Sequence, residues 1–151
     1  MHVRTATPED AEAVEGVRVR GWQAAYRGIV SDSYLDGMVV DHERRAGLIG
    51  QDGVTTLVAE DSDVVGMAVY GPARHGQPGT ELYALYVDPS RWRSGVGTAL
   101  LTACEGLTEL WVLQDNQRAR AFYERHGFAA DGGSQVLDID GPVTEIRMSR
   151  G

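Results

Sequence analysis

Hydrophobic residues follow two different periods along the chain, and the change falls near residue 54. Before it, apolar and small residues recur at helical spacing, as at Val14, Val17, Gly21 and Ala25. After it, runs rich in β-branched and aromatic residues, bounded by turn residues, predict strands. The resulting order is a strand, helices, three strands, a helix, a strand, a helix and two strands. This order predicts a mixed α/β sheet flanked by helices, in a single domain that spans residues 1–151.

Capping residues and turn residues set the bounds of these elements. The pattern predicts helices at residues 7–28, 31–38, 41–49, 95–105 and 116–126. It predicts strands at residues 3–5, 55–60, 64–70, 81–87, 107–113, 135–139 and 143–148. A stretch rich in glycine and proline at residues 71–79 is predicted to be a loop.

Composition narrows the function without naming it. Apolar residues make up 42% and charged residues 24%, which is typical of a globular protein. The net charge of −8 repels phosphate backbones, so we expect no nucleic-acid partner. An acidic surface favours a cationic small substrate, although the same acidity also serves solubility.

Missing residue types exclude several chemistries. All 14 basic residues are arginine, so neither a phosphate loop that needs lysine nor a pyridoxal phosphate Schiff base can form. The single cysteine, Cys104, lies in an apolar helical stretch and is predicted to pack in the core. The four histidines have no metal-ligand spacing, so no metal is expected. No apolar run approaches the ~20 residues of a membrane span, and a cytoplasmic protein without a membrane partner is expected.

One loop carries the pattern of an anion site. The strand at residues 81–87 leads through Arg91 and Arg93 to Gly95-Val96-Gly97, which opens a helix. Free backbone N–H groups and the positive end of the helix dipole favour a phosphate there. A dinucleotide fingerprint would need glycine where Leu100 stands, so that alternative is weaker. The alternative is a purely structural role, in which the glycines only form a tight turn.

Four segments together resemble the GNAT superfamily of N-acetyltransferases. The loop WRSGVG at residues 92–97 is similar to the family's acyl-CoA loop, except that Trp92 occupies a position usually held by glutamine or arginine. Residues 116–128, NQRARAFYERHGF, resemble the family's Asn-x-x-Ala-x-x-Phe-Tyr block. Residues 21–38 resemble its first two helices, and residues 145–148 its last strand.

The resemblance implies a GNAT fold and acetyl transfer from acetyl-CoA to a primary amine, by direct attack in a ternary complex. In this family the strand before the loop separates from the next strand, and the pantetheine arm pairs with its backbone. The residues implied to bind the cofactor are Leu85, Tyr86, Val87, Arg93, Ser94, Gly95, Val96, Gly97, Thr98, Asn116, Ala119 and Tyr123.

Two catalytic roles follow from the same resemblance. Tyr123 is expected to be the general acid for the leaving sulfur, and Glu81 the general base, directly or through water. Each has a structural alternative: Tyr123 as a core residue, and Glu81 as a solvated strand end. Asn116 has one too, as the N-cap of its helix, and it could serve both purposes.

Aromatic residues are expected to form the acceptor wall. Trp22, Tyr26, Tyr34 and Tyr83 would contact a cationic amine, with Asp32 or Asp36 as counter-charges. Packing of the first helix on the sheet is the alternative role for Trp22 and Tyr26.

Two rival functions stay open at this point. A GNAT-fold domain that binds or senses acyl-CoA without turnover would keep the loop and lose the acid or base, and a nucleotide binder would not respond to CoA. The acceptor class is also open among polyamines, aminoglycosides, amino acids and protein amines. A homodimer through the terminal strands is left open as well.

Overall fold

The computed structural model describes residues 1–75 and 78–151, which form one seven-stranded sheet with helices on both faces. The strands are β1 His2–Thr5, β2 Thr55–Asp61, β3 Asp63–Pro72, β4 Thr80–Val87, β5 Glu109–Leu113, β6 Ala129–Asp138 and β7 Pro142–Ser149. The helices are α1 Ala11–Ala25, α2 Asp32–Asp36, α3 His42–Ile49, α4 Val96–Ala103 and α5 Gln117–Arg125. Short 3-10 turns cover Pro8–Asp10 and Pro89–Arg91. The mixed α/β architecture predicted from the sequence is confirmed.

The sheet has the strand order β1-β2-β3-β4-β5-β7-β6. Neighbouring strands run antiparallel except β4 and β5, which are parallel. The turn between β2 and β3 is tight, because Asp61 pairs with Asp63 and Ser62 takes a positive φ of 66°. The parallel pair in the middle of the sheet is the feature that positions the site.

Side-chain caps begin three of the helices where the sequence predicts them. Ser31 accepts a hydrogen bond from the Tyr34 amide at 3.3 Å and starts α2. Asp41 starts α3 in the same way, and Asn116 starts α5 by accepting from the Ala119 amide at 3.2 Å. Each cap satisfies an amide that has no partner within its helix.

The core lies on both faces of the sheet. One cluster, centred on Leu100, Leu110 and Phe128, packs α4 and α5 against the strands. A second cluster packs α1 and α3 against the opposite face, with Val17 and Met67 fully buried. Cys104 belongs to the first cluster and is 2% exposed, which confirms its predicted core position.

Several predicted boundaries differ from the structure. The first helix ends at Ala25 rather than at Gly28, because Tyr26 leaves helical geometry and a turn follows. β6 begins at Ala129, six residues before the predicted start, and continues through a register shift between Ala130 and Ser134. The predicted loop at residues 71–79 is shorter, because Gly71 and Pro72 belong to β3; its residues 76 and 77 lie outside the described residues.

Two kinds of feature are absent from the described residues. Within residues 1–75 and 78–151, no helix has the length and apolarity that a membrane span requires. In the same part of the chain, no three histidine, cysteine or acidic side chains are grouped as metal ligands would be.

Candidate functional site

The two central strands separate and leave a cleft between them. β4 and β5 pair only at Glu81 with Glu109 and at Leu82 with Leu110. Beyond these pairs a cleft of about 650 Å³ opens between the strands. On its other edge β4 pairs with β3 as far as Val87. The backbone groups of residues 83–87 that face β5 therefore have no strand partner in the described chain.

An irregularity in β4 accompanies the separation. Val69 pairs with Ala84, but its neighbour Tyr70 pairs with Leu82, so Tyr83 is the extra residue on β4. A bulge of this kind bends its strand and increases the local twist. The bulge lies immediately after the last residue of β4 that pairs with β5.

The loop after β4 is held by its own side chains. Asp88 caps the turn through Ser90 and forms an ion pair with Arg20 at 2.8 Å. Trp92 donates its indole N–H to the Val87 carbonyl at 3.0 Å. Arg93 adopts a positive φ of 64°, which is uncommon for a residue with a side chain. These contacts fix the path of the backbone that leads into α4.

Two glycines shape the start of α4. Gly95 is its N-cap with φ of 89°, and no side chain caps the helix there. At Gly97 a Cβ atom would lie 3.2 Å from the Phe122 ring of α5. Backbone N–H groups without helical partners therefore start α4 beside the cleft, and such groups favour an anion.

Arginine side chains surround this end of the cleft. Arg91, Arg93, Arg118 and Arg125 all line it. Arg91 also forms an ion pair with Asp61 at 2.8 Å. The Arg118 guanidinium lies 3.6 Å from the centre of the Trp92 ring, and burial lowers the pKa of Arg118 from its ordinary value. Trp92 therefore orients a cation at the position where the family pattern has glutamine or arginine.

Tyr123 lies on α5 at the wall of the cleft. Its ring packs edge-on against Phe122 and Phe128 and is 8% exposed. Burial raises the pKa of Tyr123 above its ordinary value, Tyr86 adds to the rise, and Arg118 opposes it. The phenol therefore keeps its proton near neutral pH. Its ring therefore packs in the core and lines the cleft at the same time.

Asn116 and Ala119 lie in the first turn of α5 and line the cleft. The oxygen of the Asn116 side chain accepts the Ala119 amide as the helix cap, and Asn116 is 8% exposed. The side chain is therefore fixed by the helix that it caps and stays at the cleft wall.

Glu81 is fully buried and already holds a partner. One of its oxygens accepts from the Arg74 amide at 3.0 Å, and the other from the Arg74 guanidinium at 2.7 Å. The Arg74 guanidinium also lies 4.1 Å from the centre of the Tyr83 ring. The predicted alternative of a solvated strand end is wrong, because no part of Glu81 reaches solvent.

Most of the predicted site residues meet in this cleft. Those that line it are Trp22, Tyr26, Glu81, Tyr83, Leu85, Tyr86, Val87, Arg93, Gly95, Gly97, Thr98, Asn116, Ala119 and Tyr123. Three others are not among its described lining. Ser94 turns back to bond the Arg91 carbonyl at 2.5 Å, Val96 is buried beneath the loop, and Tyr34 is 41% exposed.

The predicted counter-charges lie elsewhere. Asp32 and Asp36 both pair with Arg27, at 3.2 and 2.6 Å, on the exposed side of α2. Neither lines the cleft in the described chain. The prediction that these two side chains hold a cationic acceptor is therefore wrong, since helix spacing alone did not show which way α2 faces.

Comparison with known proteins agrees with this geometry. The family model of the acetyltransferase (GNAT) family matches residues 19–128. The chain belongs to the GNAT family. It is 33% identical over 125 residues to the uncharacterized N-acetyltransferase YuaI of Bacillus subtilis, covering 76% of this chain and 72% of that protein. A mycothiol acetyltransferase of Clavibacter sepedonicus is 31% identical, covering 95% of this chain and 49% of the relative.

A solved structure supports the same fold. The PaiA N-acetyltransferase of Thermoplasma acidophilum, crystallised with coenzyme A, superposes with a TM-score of 0.75 and 24% identity. The superposition covers 98% of both chains. GNAT acetyltransferases act on amine acceptors, so this chain is an acyl-transfer enzyme by family.

The cleft is also lined by residues that sequence reasoning missed. They are Arg74, Trp111, Leu137, Ile139 and Glu145. The alternation in β7 is a signal that could have found Glu145, because the carboxylate shares a sheet face with the buried Val143. No comparable signal exists for Arg74, which lies in a loop.

Proposed function

We propose that this protein transfers an acetyl group from acetyl-CoA to a primary amine, by direct attack within a ternary complex. The observation that carries the proposal is the unpaired edge of β4, which leads directly to the arginine-lined start of α4. An extended arm with amide groups suits the unpaired edge of β4, and a pyrophosphate suits the start of α4. Both lie in the same cleft as Tyr123 and Glu81.

The cofactor would be held mainly by backbone groups. Leu85, Tyr86 and Val87 would pair with the pantetheine amides as a neighbouring strand does. The amides of the loop would hold the pyrophosphate, and the residues concerned are Arg93, Ser94, Gly95, Val96, Gly97 and Thr98. The first turn of α5, at Asn116 and Ala119, would contact the arm on the opposite wall. The fit rests on the positive side chains and on the open strand edge, both described above.

Acetyl-CoA supplies an activated acetyl thioester, and transfer to the amine releases the free thiol. A backbone N–H on β4 would polarise the thioester carbonyl. Tyr123 would give its phenolic proton to the departing sulfur. The amine nitrogen loses one proton in the same reaction, so the number of protons is conserved. The raised pKa of Tyr123 keeps the phenol protonated before the transfer.

Glu81 would take the proton from the acceptor amine, directly or through water. Glu81 is one of the residues that line the cleft, although it is fully buried and Arg74 bonds both of its oxygens. Water on the open side of Arg74, whose side chain is 55% exposed, would complete the path to solvent.

Aromatic residues would form the acceptor wall. Trp22 and Tyr26 pack edge-on at 4.8 Å and line the cleft together with Tyr83. Tyr34 contacts Trp22 at 6.3 Å between ring centres, so its predicted role would act through that ring.

One observation favours a second candidate, a domain that binds acyl-CoA without turnover. The ion pair between Arg74 and Glu81 neutralises the proposed base. Such a domain would bind acetyl-CoA and release no thiol with any amine.

A thermal melt with acetyl-CoA, CoA, dephospho-CoA and NADH tests the proposal first. At about a hundred times the dissociation constant, a ligand adds about 2.7 kcal/mol, or roughly 5–10 °C for a domain of this size. We expect acetyl-CoA and CoA to raise the melting temperature and NADH to leave it unchanged. Thiol release with a panel of amines then separates the enzyme from the silent domain. If neither acetyl-CoA nor CoA raises the melting temperature, both the enzyme and the silent acyl-CoA-binding domain are contradicted.

A further inference from the structure

Charge is divided sharply along the cleft. Four arginines line it from the loop before α4 and from α5, whereas the neutral pair of Arg74 and Glu81 and one more carboxylate, Glu145 of β7, line it from the strands and from the loop before β4. We propose that Glu145 selects the acceptor, which is a primary ammonium on an apolar or aromatic body without a carboxylate. This inference rests on the proposed function and deepens it.

Glu145 is held in place by its neighbours in the sheet. It lies on β7 between Leu113 of β5 and Gln135 of β6, and it accepts a hydrogen bond from the Gln135 side chain. A hydrogen bond from a neutral amide orients the carboxylate but leaves its charge uncompensated. Tyr26, which lines the same cleft, has a raised pKa, caused first by burial, then by Tyr86 and Tyr123, and least by the charge of Glu145.

The nearest arginine on the same strand is already engaged. Arg147, two residues along β7, forms an ion pair with Asp131 at 2.7 Å. None of the ten ion pairs found within residues 1–75 and 78–151 includes Glu145. A partly buried carboxylate without a cation is costly, and a bound ammonium would relieve that cost.

Other carboxylates do not compete for this role. Glu81 has Arg74, and Asp32 and Asp36 share Arg27. Glu109 is 5% exposed and is not among the described residues that line the cleft. Glu145 is therefore the carboxylate at which an acceptor's charge can be compensated.

The surroundings of Glu145 define the rest of the acceptor. Trp22, Tyr26, Leu137 and Ile139 pack against the core cluster that contains Leu113, the partner of Glu145 on β5, and Trp111 lies two residues before Leu113. All five line the cleft and present aromatic and aliphatic surface. An ammonium beside these rings gains cation–π attraction as well as the carboxylate contact. A carboxylate on the acceptor would be repelled by Glu145, since like charges in contact disfavour binding.

The indole nitrogens of Trp22 and Trp111 give the competing interpretation. Both are buried and have no hydrogen-bond partner within the described chain. Two free donors could bind a carboxylate, which would favour an amino acid as acceptor. The charge of Glu145 opposes that choice, and a matched pair of acceptors separates the two.

The test compares 2-phenylethylamine with L-phenylalanine, which differ by one carboxylate. Thiol release is measured for the wild type, for Glu145→Gln and for Glu105→Gln, a control with the same charge change at an exposed turn. We expect the wild type to prefer 2-phenylethylamine by at least about tenfold in kcat/KM. Glu145→Gln should lose at least about tenfold in kcat/KM for this amine, mainly through KM, and should lose most of the preference. Glu105→Gln should behave as the wild type.

A thermal melt with acetyl-CoA accompanies each variant. Equal shifts in wild type and Glu145→Gln show that the fold and the cofactor site are intact. If acetyl-CoA gives a shift but L-phenylalanine is preferred, or Glu145→Gln acts as the wild type, the role of Glu145 is overturned and the proposed function stands. If acetyl-CoA gives a shift but neither amine reacts, the role of Glu145 is overturned, and thiol release with the wider panel of amines decides between the enzyme and the silent domain. If CoA species give neither a shift nor turnover, the proposed function itself fails.

Discussion

Two glutamates line the same cleft in different electrostatic surroundings. Glu81 has an arginine on both oxygens, whereas Glu145, within residues 1–75 and 78–151, has only the side-chain amide of Gln135. Removing the charge of Glu81 would leave Arg74 without its partner, and removing the charge of Glu145 would leave no cation behind. The same substitution to glutamine therefore tests stability at the first position and acceptor recognition at the second.

Tyr123→Phe tests the proposed general acid. The change removes the phenolic oxygen and keeps the ring between Phe122 and Phe128. A positioned acid contributes about 10²–10⁴-fold to a rate, so kcat should fall by at least about 10²-fold. The dissociation constant of acetyl-CoA, measured by titration, should stay within about twofold because the strand edge and loop are unchanged.

The control for this variant is Tyr70→Phe. Tyr70 packs beside the first core cluster and is not among the described residues that line the cleft. Its loss of an oxygen should leave kcat at the wild-type value. Normal turnover by Tyr123→Phe would show that another group, or water, protonates the sulfur.

At the residue scale, motif positions could be predicted and their partners could not. Asn116 and Tyr123 belong to a block with fixed spacing on one helix, so their relative positions follow from the helix itself. The pairing of Arg74 with Glu81 depends on how a loop folds back over a strand, and neither residue alone indicates it. The exposed side of α2 likewise depends on tertiary packing, which is why Asp32 and Asp36 were assigned wrongly.

At the scale of elements, α4 lies close against β3 because of one glycine. A Cβ on Gly66 would lie 2.8 Å from Val96 and 2.9 Å from Leu100, both on α4. This contact also fixes the position of Gly95 and Gly97 beside the cleft, since they flank Val96, the first residue of the helix. The helix that presents the anion site is therefore positioned by packing on its opposite side.

Gly66→Ala should destabilise the fold by about 1–3 kcal/mol, because α4 must move or repack. The matched control is Gly47→Ala in α3, where an added Cβ meets nothing within 4 Å. That control should stabilise the protein by up to about 1 kcal/mol, since alanine favours a helix more than glycine does. Urea unfolding midpoints measure both. Equal effects of the two changes would contradict the close contact.

Element types and order could be predicted because caps and periods are local signals. Ser31, Asp41 and Asn116 all begin helices as predicted. The start of β6 could not be predicted, because Gly132 and Gly133 interrupt the strand pattern and glycine ordinarily weakens a strand. Only its pairing with β7 on both sides of the irregularity keeps this segment extended.

For the whole molecule, a charged cluster secures the edge of the sheet where the chain begins. Arg4 of β1 donates to Asp10 at 2.8 Å and to Glu60 of β2 at 3.2 Å. Asp10 also accepts from the Thr7 amide at 2.8 Å. The hydrogen bond from Arg4 is the main cause that lowers the pKa of Asp10 from 3.8 to about 2. The cluster therefore makes the free energy of unfolding depend on pH.

Asp10→Asn should lower the free energy of unfolding by about 1–2 kcal/mol near neutral pH, less than the shift in pKa implies because Arg4 is partly solvated. A lowered pKa stabilises the fold above the unfolded value, and this contribution is lost as pH falls through the folded value. The difference between wild type and variant should therefore shrink between about pH 4 and pH 2. Denaturant unfolding at several pH values measures it, with Asp52→Asn at an exposed turn as control. A difference that does not change over this range would contradict the assignment.

The unpaired edge of β4 lies in the middle of the sheet and not at its side. An edge at the side of a sheet is open to any strand from another molecule, and proteins protect such edges against aggregation. Here β5 and α5 line the same cleft, so the free edge faces other parts of its own molecule. A chain that pairs with the free amides would lie about 4.8 Å from β4, as a neighbouring strand does. The separation of two strands thus keeps free backbone groups inside the molecule, away from the outer edges at which strands of different molecules join.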